Sequence, residues 1–257
     1  MSSPKKNSIE STKQKQISPN LDHLHALTEF AAAAGHEINN PLAVILGRSQ
    51  LLLNREKDKV KRQALETIAG QALRIRDMIG DVMLFADPPL PNRQTCNISE
   101  VIPELADNLR KQLQKQTSTP IPKLICELPN ELEVSADIEQ FQAVICELLR
   151  NAFHPSTESS QVSLTAQPAS DQNDFLEIDI TDNGRGLSPN EAKHLFDPFY
   201  SGRQAGRGLG FGLCKAWRFV TLHEGSILLN HQDSKQGVSV KILWPTPEYF
   251  SQNSIPQ

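Results

Sequence analysis

Three polar residues of one helical segment could do chemistry together: His36, Glu37 and Asn40. At about 100° per residue, His36 lies roughly 200° from both Ala34 and Ile38, on the side opposite an apolar stripe. A histidine on that side meets solvent or a partner, where an imidazole can act as a nucleophile or as an acid or base. Glu37 is close enough to orient the ring or accept its proton. An ordinary surface histidine is the alternative, but the group as a whole predicts an assisted nucleophile.

Two side chains of a later helix could bind a metal ion. Glu147 and Asn151 are four residues apart, so a helix presents their oxygens on one face. Mg²⁺ takes oxygen ligands and keeps several waters while it bridges to phosphates, which suits so sparse a pair. Solvated side chains on a helix surface are the alternative interpretation.

A polar turn, Asp182-Asn183-Gly184-Arg185-Gly186, directly follows an alternating apolar strand. The Asp182 carboxylate can accept a hydrogen bond from an exocyclic amine such as that of adenine. Gly184 and Gly186 let the backbone turn tightly and approach a ring. The pattern therefore predicts a contact with a base, although a plain turn explains it equally well.

Alternating glycines precede another predicted helix: Gly206, Gly208, Gly210 and Gly212. Bare amides and a helix N-terminus favour phosphate groups, and Arg203 and Arg207 add positive charge. No strand leads directly into these glycines, which argues against a Rossmann site. A nucleotide lid hinged on aromatic side chains also accounts for Phe196 and Phe199, which a merely flexible loop leaves unexplained.

In this order, the segments resemble the sensor histidine kinases of two-component systems, over about residues 21–245. The stretch from His36 to Leu42 is similar to the phosphoacceptor box of that family. The resemblance implies that His36 is phosphorylated by ATP with Glu37 assisting, and that an aspartate of a response regulator then receives the phosphoryl group. Glu37 and Asn40 also resemble the family's E-x-x-N motif, which implies dephosphorylation of the regulator.

The resemblance also assigns an ATP site. It implies that Asn151 binds Mg²⁺, with Glu147 beside it, and that Asp182 contacts adenine in a pocket shaped by Gly184 and Gly186. Further nucleotide contacts are expected from the end of that helix and from the lid: His154, Arg203, Gly206, Arg207, Gly208, Leu209, Gly210 and Gly212.

Two departures from the family pattern leave other functions open. Glu147 stands where the family usually has Asn, and His154 where it often has Lys or Arg. One alternative is a non-catalytic phosphotransfer scaffold. Another is a hydrolytic ATPase in which Glu147 is the general base.

The composition narrows the class of protein. The 257 residues are 38% hydrophobic and 22% charged, with a formal net charge of -4, which gives no indication of nucleic-acid binding. Four scattered cysteines without a CxxC pair predict neither a zinc site nor disulfides, which favours the cytoplasm. No apolar run approaches the roughly 18 residues of a membrane span, so we expect no membrane anchor.

Two long helices are predicted to carry the histidine. The first is expected over residues 21–54, with this apolar stripe: Leu27, Ala31, Ala34, Ile38, Pro41 and Ile45. The second has apolar residues at spacings of three and four up to Ala86, the pattern of a coiled-coil seam. Pairing two such hairpins into a four-helix bundle covers the seam. We therefore expect a homodimer; packing of the hairpin on its own C-terminal domain is the alternative.

The rest of the chain predicts an α+β two-layer sandwich, which the resemblance identifies as the GHKL ATPase type. Helices are expected at 99–116, at 137–154 with Asp137 as cap, and from the glycines to His223. Strands are expected at 123–128, 132–134, 161–166, 175–181, 226–230 and 238–243. The first two of these flank a turn at Pro129 and Asn130.

These elements divide the chain into five segments. We predict a disordered tail (1–20), a dimerisation and phosphotransfer hairpin (21–87), a linker (88–98), the ATP-binding domain (99–246) and a loose tail (247–257). Because about twenty polar residues cannot form a sensor domain, the signal is expected to arrive through a partner, through the tail, or from a further domain of unknown identity.

Overall fold

The observed elements form a helical hairpin followed by a mixed sheet with helices. The computed structural model describes residues 15–16, 21–117, 119–153, 160–200, 210–230 and 237–253, with the backbone alone for 15–16, 21–34, 36 and 253. In chain order these ranges contain β1 (Lys15–Gln16), α1 (Leu21–Leu53), α2 (Lys59–Ala86), β2 (Gln94–Asn97), α3 (Ile98–Gln116), β3 (Lys123–Glu127), β4 (Glu133–Ala136), α4 (Ile138–Ala152), β5 (Gln161–Pro168), β6 (Phe175–Asp182), α5 (Pro189–His194), α6 (Gly212–Leu222), β7 (Ser226–Asn230), β8 (Val238–Pro245) and α7 (Pro247–Asn253).

Local signals set the ends of the hairpin helices. Asp58 caps α2, because its carboxylate accepts a hydrogen bond from the Val60 N–H at 2.8 Å. The helix ends where the Asp87 N–H donates to the Met83 carbonyl at 2.8 Å, and the following Pro88 has no N–H to continue the pattern. Both predicted helices are therefore confirmed, with ends close to the expected residues.

The hairpin packs through a face of α1 that overlaps the predicted stripe only in part. Leu42 and Leu46 are buried in a cluster with Ala72 of α2, and Ile38 of the predicted stripe packs against this cluster. Ile45 of the stripe, in contrast, is 43% exposed. The difference arises because α1 carries apolar residues on two adjacent faces, which spacing alone does not rank. Large apolar side chains remain exposed on the hairpin: Val44, Ile45, Leu51, Leu52, Val60, Ile68, Leu73 and Ile75.

The main sheet has the strand order β1-β7-β8-β6-β5-β3, and its pairs are antiparallel except for β3 with β5. Helices α3, α4 and α6 bury their apolar faces against it in one continuous core. Within that core the rings of Phe141 and Trp244 meet edge to face, with centroids 4.9 Å apart. The predicted two-layer α+β sandwich is confirmed.

The two strands on either side of the turn at Pro129 and Asn130 do not pair with each other. Strand β3 pairs with β5 in parallel, and β4 pairs with β2 in a separate two-stranded sheet. The Ser99 hydroxyl holds the intervening turn, since it donates to the Pro129 carbonyl at 2.8 Å and accepts from the Leu132 N–H at 3.1 Å. These contacts join residues thirty or more positions apart, and a local sequence pattern does not indicate such pairings.

Both predicted tails contain some regular structure. Lys15–Gln16, inside the segment expected to be disordered, pair with β7, whose edge has unpaired backbone groups. Pro247–Asn253, expected to be loose, form α7. This helix is held by Tyr249, whose ring lies 4.9 Å from that of Phe175 and whose hydroxyl lies 3.1 Å from Glu224 Oε2. For α7, aromatic docking rather than polarity decides the structure, and a polar composition does not indicate it.

A buried histidine joins the end of α6 to the start of α4. The His223 Nε2 accepts the Asp137 N–H at 3.0 Å, and its Nδ1 lies 2.8 Å from the Phe219 carbonyl oxygen. This arrangement requires the neutral tautomer with the proton on Nδ1, because Nε2 must accept. Burial lowers the pKa of His223 despite the hydrogen bond to Phe219, so the neutral form is favoured.

Asp137 should contribute to stability through three backbone contacts. Its carboxylate accepts from Glu139 N–H (3.1 Å) and Gln140 N–H (3.2 Å) as the N-cap of α4, and from Asn92 N–H (3.0 Å). We expect Asp137→Ala to lower the free energy of unfolding by about 1–2 kcal/mol, measured by urea denaturation. Asp171→Ala, in the exposed turn between β5 and β6, is the control. Equal stability of the two variants would contradict the capping role.

Candidate functional site

The hairpin brings α1 and α2 unusually close beside the predicted nucleophile. Gly35 is buried against Met83 of α2, and a Cβ on Gly35 would overlap the Met83 sulfur. The backbone of His36 lies in α1, while its side chain lies outside the described residues. Glu37 and Asn40 are both exposed, which agrees with their predicted position on the solvent side of the helix.

Helix α4 presents Glu147 and Asn151 on the side away from its buried leucines. Glu147 is half-buried and Asn151 is exposed. The Glu147 Oε1 lies 3.4 Å from the Nζ of Lys215, a residue of α6. A Cβ on Gly212 would overlap the Glu147 carboxylate, so the first residue of α6 must be small for the two helices to approach. The structure therefore brings Glu147 to the N-terminus of α6, where an anion is favoured.

Asp182 ends a strand that is paired on both sides. It is opposite Val162 on β5 and Val238 on β8, and its Oδ1 accepts the Gly184 N–H at 2.8 Å. Burial raises the pKa of this carboxyl, although backbone hydrogen bonds from Gly184 and Val238 oppose the shift. Gly186 has φ 76°, a conformation that favours glycine. The turn thus holds a half-buried carboxylate in a fixed orientation, suited to accept from a base amine.

An ion pair to which the sequence analysis gave no role holds the end of this turn in place. Arg185 contacts both carboxylate oxygens of Glu191, at 3.1 and 2.5 Å. The same carboxylate accepts the Ser188 N–H at 2.9 Å and the Ser188 hydroxyl caps α5 in return. The hydrogen bonds from Arg185, followed by those from Ser188, lower the pKa of Glu191 to about 2.

The two ends of the predicted lid meet at one aromatic side chain. Phe199, with φ 63°, and Phe211 pack edge to face with centroids 4.7 Å apart, and Phe211 also meets Phe85 of α2 at 6.1 Å. Gly210 has φ 72°, and a Cβ there would overlap the Tyr200 backbone. Of the two aromatic residues expected to anchor a lid, Phe199 makes this contact, whereas Phe196 is buried in the main core. Several predicted nucleotide ligands lie outside the described residues: His154, Arg203, Gly206, Arg207, Gly208 and Leu209.

One residue of this region was missed by the sequence analysis. Lys215 lies between Glu147 and Asp81, with its Nζ 3.0 Å from Asp81 Oδ1. A lysine on an amphipathic helix is usually solvated, so its type and spacing gave no signal. Only the packing of α2 against α6 reveals that it is enclosed.

The donor set limits how a metal ion could be held. No group of three or more His, Cys, Asp or Glu residues suited to a metal ion occurs in the part of the chain that the structure describes. Glu147 and Asn151 fit an ion such as Mg²⁺ that takes most of its ligands from phosphates and water. Within the same described ranges, no helix is long and apolar enough to cross a membrane.

Two family models match the chain. Residues 26–89 match the "His Kinase A (phospho-acceptor) domain". Residues 136–248 match the "Histidine kinase-, DNA gyrase B-, and HSP90-like ATPase". The first covers most of the hairpin, and the second covers α4 to β8, the elements that carry Glu147, Asp182 and Lys215.

Curated relatives match most of this chain with a part of their own. Sporulation kinase E of Bacillus subtilis (strain 168) is 26% identical over 234 residues, which is 87% of this chain and 30% of the relative. The signal transduction histidine-protein kinase AtoS of Escherichia coli (strain K12) is 27% identical over 209 residues, 80% of this chain and 33% of the relative. The chain thus spans about a third of the length of these relatives.

Solved structures share the fold. Full-length ShkA, crystallised in complex with AMPPNP, has a TM-score of 0.69 and 19% identity, covering 85% of this chain and 46% of that one. The mycobacterial sensor histidine kinase MprB has a TM-score of 0.51 and 20% identity, covering 60% of this chain and 97% of that one. At these identities the likeness concerns the fold alone.

The base of the lid should tolerate no side chain at Gly210. Gly210→Ala places a Cβ at positive φ and against the Tyr200 backbone, so we expect a loss of at least about 1–2 kcal/mol in the free energy of unfolding. Gly47→Ala is the matched control, since nothing lies near its Cβ in α1, and it should gain about 0.5–1 kcal/mol. Urea denaturation measures both. Equal stability would contradict the close approach.

Proposed function

This chain belongs to the sensor histidine kinases of two-component systems, and we propose that it transfers the γ-phosphoryl group of ATP to His36. The observation that carries the proposal is the convergence at the start of α6. There, the α4 carboxylate of Glu147 and the lid base at Gly210 lie together, and Phe211 contacts α2 near Met83, which packs on Gly35. In this proposal the start of α6 binds the phosphates, and its contact with α2 lies near Met83, the residue that packs on Gly35 beside His36.

The proposed nucleotide site uses residues of three elements. Asp182 accepts a hydrogen bond from the adenine amine, and Gly186 lets the turn follow the ring. Asn151 and Glu147 on α4 supply oxygens near the phosphates, and the glycines before α6 supply amides. Magnesium, bound with the nucleotide, would neutralise charge on the phosphate oxygens.

The proposed reaction is an in-line displacement. An imidazole nitrogen of His36 attacks the γ-phosphorus, so that a P–N bond forms as the bond to the ADP oxygen breaks. Glu37, adjacent in sequence, accepts the proton that the imidazole loses. The phosphohistidine then donates its phosphoryl group to an aspartate carboxylate of a response regulator, and the imidazole is restored.

A homodimer is proposed as the working assembly. The support is the exposed apolar face of the hairpin, where Leu51 and Leu52 of α1 and Val60 at the start of α2 are all more than half exposed. Pairing two hairpins would bury such a face in a four-helix bundle. We also propose that the protein acts in the cytoplasm, where response regulators are available as acceptors.

The kinase proposal predicts a labile label on one residue. Incubation with γ-labelled ATP and Mg²⁺ should label the wild-type protein with an acid-labile, base-stable phosphoramidate. His36→Gln should bind ATP with unchanged affinity in calorimetry and take up no label, because the side chain is predicted to face away from the apolar packing. An acid-stable label, or label retained in His36→Gln, would contradict the assignment.

The adenine contact predicts a pH dependence. Asp182 must be ionised to accept from the adenine amine, and its pKa is raised by burial. Nucleotide affinity should therefore fall as the pH decreases from neutral toward the ordinary carboxyl value of 3.8. Asp182→Asn should bind ATP about tenfold or more weakly at neutral pH. ATP affinity is measured against pH for the wild type and for Asp182→Asn. The phosphates titrate in both, so the difference between the two pH profiles reports Asp182 alone. Identical profiles would argue against the contact.

The exposed amide of Asn40 is proposed to orient water against the regulator's phosphoaspartate. Asn40→Ala should keep the rate of His36 labelling and slow regulator dephosphorylation by about 10²-fold. Gln50→Ala, exposed on the same helix, is the control. Unchanged dephosphorylation in Asn40→Ala would remove this role.

A further inference from the structure

An enclosed lysine connects three helices at the junction of the hairpin and the sheet. The Nζ of Lys215 on α6 lies 3.0 Å from Asp81 Oδ1 on α2 and 3.4 Å from Glu147 Oε1 on α4. The Lys215 side chain is only 13% exposed. Solvent therefore screens these pairs much less than it screens an ordinary surface salt bridge.

The lysine stays charged in this position. Burial lowers the pKa of Lys215, but the charges of Glu147 and Asp81 outweigh this, so that the pKa is raised above its ordinary value of 10.5. Across neutral pH, the ammonium group is a constant feature of the junction.

Apolar packing closes the junction on one side. Val82, Phe85 and Ala86 of α2 form a buried cluster with Phe211 and Cys214 of α6. The residue before this α2 segment is Asp81, so the ion pair and the apolar contact belong to one interface. Because Phe211 also packs on Phe199 at the base of the lid, the interface reaches the lid directly.

The charges of the junction depend on whether α2 is docked. With α2 in place, one ammonium faces two carboxylates, those of Glu147 and Asp81. Without α2, Lys215 faces Glu147 alone, and the other oxygen of that carboxylate lies 4.0 Å from the Arg150 Nε. These three side chains then carry one net positive charge, which Asp81 cancels when α2 is docked. A nucleotide triphosphate remains an anion even with its magnesium, so the site attracts it less when Asp81 is present. Asp81 also draws the ammonium group of Lys215 toward α2 and away from the phosphates.

We propose that Lys215 is a positioning residue shared by the nucleotide site and the α2 interface, so that nucleotide binding and docking of α2 oppose each other. This inference rests on the proposed nucleotide site. Linkage makes the opposition reciprocal: docking of α2 lowers nucleotide affinity by the same factor by which bound nucleotide weakens the docking of α2. ATP would thereby release the sheet domain from α2 and free it to move relative to His36.

Two substitutions break the same ion pair with opposite consequences for the nucleotide. Asp81→Asn removes the repelling charge and leaves Lys215, so affinity for a non-hydrolysable ATP analogue with Mg²⁺ should rise about five- to tenfold. Lys215→Met removes the attracting charge, so affinity should fall by about the same factor. Lys215→Arg should restore affinity, since it keeps the charge. Calorimetry at low and high salt measures these shifts, which should shrink as salt increases.

Docking is measured separately by hydrogen exchange in residues 80–87 of α2. Exchange there should be faster in both Asp81→Asn and Lys215→Met than in the wild type, and the nucleotide should accelerate it in the wild type alone. Lys241→Met is the matched control. Its lysine forms an equally enclosed pair with Glu177 at 2.9 Å on strands β8 and β6, away from α2, so it should change neither readout.

The outcomes separate this inference from the proposed function. If the wild type binds the analogue but Asp81→Asn and Lys215→Met shift affinity in the same direction, or not at all, the opposition is refuted and the kinase proposal stands. Slower α2 exchange with nucleotide also refutes it. If the wild type binds no nucleotide, the proposed function and this inference fail together.

Discussion

The burial of α4 against the sheet constrains every part of the candidate site. Phe141, Val144, Ile145 and Leu148 are buried in the main core, and this fixes the rotation of the helix about its own axis. This rotation directs Glu147 and Asn151 toward α6 and solvent. The same rotation sets the distance at which α6 can pass, which is why Gly212 carries no side chain where it meets the Glu147 carboxylate. The site is thus a consequence of core packing, with polar residues placed on the remaining face.

The hairpin obeys a different constraint, since two helices alone cannot enclose an apolar core. One face of α1 is used by α2 through Leu42 and Leu46, and a glycine allows close approach at Gly35. The end of α2 is covered instead by α6, through Phe85 and Phe211. The sequence analysis left open whether a second hairpin or the chain's own C-terminal domain covers the apolar seam. The sheet domain covers the end of α2, and the exposed apolar side chains farther along the hairpin are available to a second hairpin.

The parts of the fold that were predictable depend on local signals. The ends of α2 follow from Asp58 and Pro88, and the cap of α4 from Asp137. Strand β6 follows from its alternation, and Asp182 from its place at the end of that strand. The pairing of β4 with β2 was not predictable, because it joins Gln94 to Ala136 across the whole of α3. Lys215 was missed for the same reason: its two carboxylate partners come from helices that are distant in sequence.

The neutral His223 has a consequence for the behaviour of the chain in acid. Its Nε2 must accept the Asp137 N–H, and a proton on that nitrogen would turn an attraction between acceptor and donor into a clash of two donors. Since its pKa is lowered in the folded state, the unfolded chain takes up this proton first, and stability declines as the pH falls below the ordinary histidine value of 6.5. The contact between the end of α6 and the start of α4 should therefore weaken as the pH falls below that value.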